Sequence, residues 1–215
     1  MLAANAGAYY RPSVEAYAGL PGRDGGILCI GDSLVDLMPD DLWDQVIVNR
    51  GVVGFRIDDV ITHFPVVFPG VPDTVVVLVG INDIAWGEGL ARMQREYASL
   101  LDMIKTAAPD ANIYVVSVLP TLTRWYVRQA ERFNALLVEL AGQYGVTYVD
   151  AYSVMIDPIT GLMRREYTCD GVHLTSMGYL VLIEELQNNL RFRYGGRGST
   201  PPPMALGGRP GKRDF

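Results

Sequence analysis

Five short stretches of the chain are apolar almost without interruption: GILCI (26–30), QVIVN (45–49), DTVVVLV (73–79), NIYVVSV (112–118) and VTYVD (146–150). They are rich in Val and Ile and do not alternate, which predicts strands covered on both faces. Between them the period lengthens. In GLARMQREYASLLDMIKTAA (89–108), Leu90, Met93, Tyr97, Leu100, Leu101 and Ile104 recur at steps of three and four, one apolar stripe on a helix. A second helix is predicted over 123–144 and a third over about 176–190. Pro109, Gly145 and an N-capping Thr175 punctuate them. A shorter helix holding His63 is expected to end at Pro65. Strands alternating with helices predict an α/β fold, a parallel sheet with helices on both faces. Ligands of such sheets bind where the strands end, beside the point at which strand order reverses.

Composition narrows the class. With 215 residues, 49% hydrophobic and 20% charged, the chain fits one folded domain with a full core. A net charge of −6 argues against nucleic acid as a partner, because phosphate binding needs a basic face. That charge is uneven: from Arg191 onward there are six basic residues and one acid, leaving −11 on the rest. The expected organisation is an N-terminal extension (1–25), a folded domain (26–190) and a basic Gly/Pro-rich tail (191–215), disordered from about 195. No apolar run approaches the roughly 18 residues needed to cross a bilayer. The first residues lack a basic stretch followed by an apolar one, so no signal peptide is read and a cytoplasmic location is expected. Two cysteines, Cys29 and Cys169, are too few for a disulfide framework, and two distant histidines give no zinc site.

The predicted strand ends carry the chemistry. Gly31-Asp32-Ser33 follows the first strand, NRGVVG with Gly54 the second, and Gly80-Ile81-Asn82-Asp83 the third. DGVH, with Asp170 and His173, precedes the last helix. A serine hydroxyl becomes a nucleophile when an imidazole takes its proton, and a carboxylate that fixes the imidazole completes the set. Of the two histidines, His63 lies away from the strand ends, which leaves His173 as the base and Asp170 as its partner. Backbone N–H groups of Ser33 and Gly54, with the Asn82 amide, are candidate donors to an oxyanion. Asp32 and Asp83 read as loop-shaping acceptors in tight turns. Trp86, just beyond the Asn82 block, either walls the pocket or packs against the sheet's rim, and the same two readings apply to Trp125 and Tyr126 after the fourth strand.

Taken together, GDS, the downstream glycine in NRGVVG, GIND and DGVH resemble the GDSL-type, or SGNH, hydrolases, over about residues 26–190. The resemblance implies a three-layer α/β/α sandwich with a five-stranded parallel sheet, flavodoxin-like in order. It implies Ser33 as nucleophile, Asp170 and His173 as its partners, and Ser33, Gly54 and Asn82 as the oxyanion hole. Substrates would be esters of lipids, acetylated sugars or aryl alcohols, with no cofactor and no metal. Many members carry a small polar pair after the second-block glycine. Here FRIDD follows Gly54, so Phe55 and Arg56 either shape the pocket or only pack.

The expected activity is hydrolysis of carboxylic esters through an acyl-enzyme. Short acyl groups are favoured because no connection is long enough to form a large lid. An acyltransferase using the same residues is one alternative, and a catalytically silent glycan-binding module of this fold is another. A phosphate-binding reading of the strand-end glycines lacks the G-x-x-x-x-G-K-[ST] pattern. Oligomeric state is not legible.

Overall fold

The computed structural model describes residues 22–194, with residues 14, 16–18 and 20 before them. The predicted tail from 195 on lies outside the described residues, as does most of the N-terminal extension. Five parallel strands form one sheet: β1 (Ile27–Gly31), β2 (Ile47–Gly51), β3 (Thr74–Leu78), β4 (Asn112–Val116) and β5 (Thr147–Val149), in the order β2-β1-β3-β4-β5. The chain leaves β1 in one direction for β2 and returns past it for β3, so strand order reverses at β1. Every residue of β1 and β3, the strands flanking that point, is buried. The continuous apolar runs have this cause, since neither face of these strands meets water.

Within residues 22–194 there are eight α-helices: α1 (Ser33–Asp36), α2 (Ile57–Thr62), α3 (Phe64–Val67), α4 (Ile81–Trp86), α5 (Leu90–Ala107), α6 (Arg124–Tyr144), α7 (Ala151–Met155) and α8 (Ser176–Tyr194). The stripe of α5 is buried at Met93, Tyr97, Leu100, Leu101 and Ile104, and α5 packs between α2 and α6. Right-handed crossovers put these helices on one face, while α8 returns over the other. The result is a three-layer α/β/α sandwich.

Two features depart from the sequence reading. The helix before Pro65 stops at Thr62; His63 is the cap shared with α3, whose first turn accommodates the proline. A two-stranded antiparallel hairpin, β6 (Ile156–Asp157) and β7 (Leu162–Met163), intervenes between α7 and α8. Tyr17, from the N-terminal segment, packs on the domain. Its hydroxyl donates to the Gly51 carbonyl at 3.0 Å, and the Arg50 guanidinium lies 4.7 Å from its ring centre. Burial raises the Tyr17 phenol to about 12. Among the described residues no helix is long and apolar enough to cross a membrane.

Candidate active site

Three strand ends lie side by side. Gly31 of β1 is in register with Gly51 of β2 and Leu78 of β3. Beyond them Val52 N–H donates to Gly31 at 3.0 Å and Asp32 N–H to Leu78 at 3.3 Å. The segments that follow, carrying Ser33, Gly54 and Asn82, therefore leave the sheet from adjacent points. Position 51 admits no side chain, because a Cβ there would collide with the Asp36 backbone nitrogen of α1.

Ser33 is the first residue of α1, and Asp32 is its N-cap, with Oδ1 accepting from Leu34 N–H at 2.9 Å. Ser33 Oγ lies 3.0 Å from His173 Nε2, and His173 Nδ1 lies 2.6 Å from Asp170 Oδ2. The other Asp170 oxygen accepts from the backbone N–H of Val172 at 2.9 Å and of His173 at 2.8 Å. Partial burial raises the Asp170 pKa, but these hydrogen bonds, from the His173 ring and the two amides, outweigh it and hold the carboxyl below the usual range. Thr168 clamps the loop: its hydroxyl donates to the His173 carbonyl at 2.8 Å and accepts from Gly171 N–H at 2.9 Å. Leu122 N–H, from the connection after β4, donates to the Gly171 carbonyl at 3.0 Å.

Gly54 occupies the third position of a turn closed by Phe55 N–H to the Val52 carbonyl, 3.1 Å, with φ of 81°. That is the backbone a type II turn requires of this position, and glycine adopts it without strain. Asn82 Nδ2 donates to the Phe55 carbonyl at 2.9 Å, which fixes the amide and leaves its second N–H. Among the described residues, the Ser33 and Gly54 N–H groups have no hydrogen-bond partner.

Two buried carboxyls stand behind these groups. Asp32 is fully buried and its Oδ2 has no hydrogen-bond partner among the described residues. Burial lifts its pKa to about 7, against the opposing effect of the Leu34 amide and the neighbouring His173 ring. Asp83 accepts from Ile57 N–H at 3.3 Å, and burial lifts it to about 8.

The alternatives left open for Phe55 and Arg56 separate here. The Phe55 side chain is wholly buried and stacks on the His63 ring, centroids 5.4 Å apart, so it packs and lines no open pocket. Its contribution is the carbonyl that holds Asn82. Arg56 is half-buried, bound to Asp58 at 3.2 Å, Asp59 at 3.4 Å and Glu88 at 3.1 Å, and its guanidinium lies 5.5 Å from the centre of the Trp86 ring. Trp86 is 66% exposed, and Trp125, in the first turn of α6, is exposed as well. Both cysteines are free, Cys29 buried and Cys169 exposed. Among the described residues no group of three or more His, Cys, Asp or Glu is placed to hold a metal ion.

Serine, imidazole and carboxylate in series, beside unengaged amide donors, are the parts that acyl transfer to and from a hydroxyl requires. Solved structures share this fold. A protein from Streptococcus pneumonia described as a platelet activating factor superposes with a TM-score of 0.80 at 25% identity, over 86% of this chain and 94% of its own. A GDSL-like lipase from Bacteroides thetaiotaomicron does so with a TM-score of 0.71 at 19% identity, over 86% and 98%. A catalytic mutant of an acetylxylan esterase from Geobacillus stearothermophilus gives 0.65 at 15% identity, over 80% and 95%. No curated protein matches the sequence significantly. The profile of the GDSL-like Lipase/Acylhydrolase family matches residues 29–181, from within β1 into α8 and across every group described above. The chain belongs to that family, and it is a carboxylic ester hydrolase.

Proposed function

We propose that the chain hydrolyses small-acyl esters through a covalent intermediate on Ser33. The observation that carries this reading is the unbroken series from Ser33 Oγ to His173 Nε2, 3.0 Å, and from His173 Nδ1 to Asp170 Oδ2, 2.6 Å. As Ser33 Oγ bonds to the ester carbonyl carbon, its proton passes to His173 Nε2. Asp170 holds the ring in the required tautomer and faces the imidazolium that results. The carbonyl oxygen becomes an oxyanion, bound by Ser33 N–H, Gly54 N–H and the free N–H of Asn82. Collapse breaks the bond to the alkoxy oxygen, which leaves as the alcohol with the proton from His173. Water then attacks the acyl-serine under the same base, releasing the acid and restoring the hydroxyl.

Two features support small acyl groups. Short connections lead from β2 to α2 and from β3 to α4, and among the described residues they form no long cover over Ser33. A cavity of about 480 Å³, lined by Leu42, Met177, Leu180 and Ile183, does not include Ser33, Asn82 or His173.

The test is hydrolysis of p-nitrophenyl acetate, butyrate and octanoate by the wild type and Ser33→Ala, with fluorophosphonate labelling of both. Turnover that falls with acyl length, lost with the serine, is the expected result. Equal activity in the variant sinks the mechanism, and a preference for octanoate sinks the small-acyl reading.

A further inference from the structure

β2 is an edge strand, so the polar groups on its outer side meet no further strand. At its last residue, Gly51, side chains take their place. Gly51 N–H donates to Asn49 Oδ1 at 3.0 Å, and the Gly51 carbonyl accepts from the Tyr17 hydroxyl at 3.0 Å. Tyr17 is itself held on several sides. Its ring lies over the guanidinium of buried Arg50, the Asp36 carboxyl of α1 shares its hydroxyl, and its carbonyl accepts from Leu20 N–H at 3.0 Å.

The position of this bond bears on catalysis. The Gly51 carbonyl and the Val52 N–H belong to one planar peptide unit, which turns as a body. Tyr17 holds its oxygen, while the carbonyl of Gly31, two residues before Ser33, holds its N–H at 3.0 Å. Directly beyond this unit runs the turn from Val52 to Phe55 that presents Gly54 N–H. On its other side Tyr17 meets Asp36, the last residue of the helix that Ser33 begins. One phenol therefore touches both the arm that carries an oxyanion donor and the helix that carries the nucleophile. A tyrosine that only covered apolar surface could lie anywhere along the edge of β2, with its hydroxyl in water. Oxyanion donors act through fixed placement, and a displacement of ~1 Å can cost about 10²-fold in rate.

We infer that Tyr17 is a positioning residue for the oxyanion hole, acting through its hydroxyl on the Gly51 carbonyl, and that the N-terminal segment thereby supports catalysis. The inference rests on the reading of Gly54 as an oxyanion donor beside Ser33, and its test has one arm independent of turnover. In that arm, amide exchange of the full chain is followed by NMR in wild type and Tyr17→Phe, which keeps the ring over Arg50 and removes only the hydroxyl. Val52 N–H is expected to exchange about tenfold faster relative to Val76 N–H in the buried strand β3. In the kinetic arm, hydrolysis of p-nitrophenyl acetate is measured well below the melting midpoint and referred to the Ser33 sites that fluorophosphonate labels. There kcat is expected to fall about tenfold with KM within twofold, and Tyr17→Leu, which loses ring and hydroxyl, to fall at least as far. A Tyr17→Phe protein that melts earlier but keeps kcat within twofold has lost an edge cap alone, which overturns the proposal. Val52 exchange that changes no more than that of Val76 overturns it as well. If Ser33→Ala instead retains full activity, the serine mechanism fails, while the exchange arm still reads the hold of Tyr17 on Gly51.

Discussion

The Tyr179 hydroxyl donates to the Leu34 carbonyl at 3.1 Å, across 145 positions of sequence. Leu34 is the residue after Ser33, and Tyr179 lies in the second turn of the helix that His173 precedes. This one bond therefore ties the helix beginning at the serine to the helix that fixes the histidine.

Tyr179→Phe is expected to cost about 1–3 kcal/mol, because it leaves a buried carbonyl without its partner. In a thermal melt that is a fall of roughly 2–10 °C. The same variant should lower kcat on p-nitrophenyl acetate more than it raises KM, since Ser33 and His173 lose a shared anchor. A melt unchanged within 1 °C would show that the bond carries neither role.

Asn82→Ala removes one oxyanion donor, for which the usual loss is about 10²–10³ in kcat. The Ser33–His173 pair is untouched, so fluorophosphonate labelling should persist at a measurable rate while turnover collapses. Equal kcat in variant and wild type would remove Asn82 from the oxyanion hole.

The buried carboxyl of Asp32 makes a prediction about pH. Its folded value of about 7 lies above the ordinary 3.8, so the folded state binds the extra proton between them. Stability must then fall as pH rises through that window and level off above it. Asp32→Asn keeps an oxygen for the Leu34 amide but has no proton to lose. Comparing melts at pH 5 and pH 8, the difference between wild type and variant should move in the variant's favour by roughly 2–8 °C. Asp83, also raised, is common to both proteins and cancels. Parallel Tm profiles would contradict the burial argument.

Thiol chemistry reads the two cysteines separately. Cys29 is fully buried in β1, and desolvation pushes its thiol far up, whereas Cys169 is exposed beside Asp170. A disulfide exchange reagent should titrate one thiol per folded chain and two after denaturation. Two fast thiols in the native protein would mean that β1 is open.

The sequence made some of this legible and not the rest, for physical reasons. The five strands appear within two residues of their predicted positions, because full burial on both faces leaves an apolar run that needs no context. The stripe of α5 is equally plain over five turns. Helices α1 and α4 are too short to show a period, and the hairpin of β6 and β7 pairs two residues with two, so neither leaves a pattern to find. Ser33, Gly54, Asn82, Asp170 and His173 are legible from strand ends and four short motifs. Phe55 was not resolved between pocket and core, because its burial depends on α2 folding back with His63 over it. Tyr179 and Thr168 carried no local signal at all. Each acts on a backbone group of a residue that matters, and such a role is written only in three dimensions.

Ser33 and His173 meet across 140 residues, and Tyr179 of α8 bonds to Leu34 of α1. Esterase activity is thus a clock for the whole folding reaction. A chain emerging from the ribosome stays silent through the synthesis of all five strands, and gains a working serine only when the Asp170–His173 loop and α8 are free to dock. Two fragments divided anywhere between α1 and the Asp170 loop would each be inert, and their recombination could be followed by the colour of released p-nitrophenol.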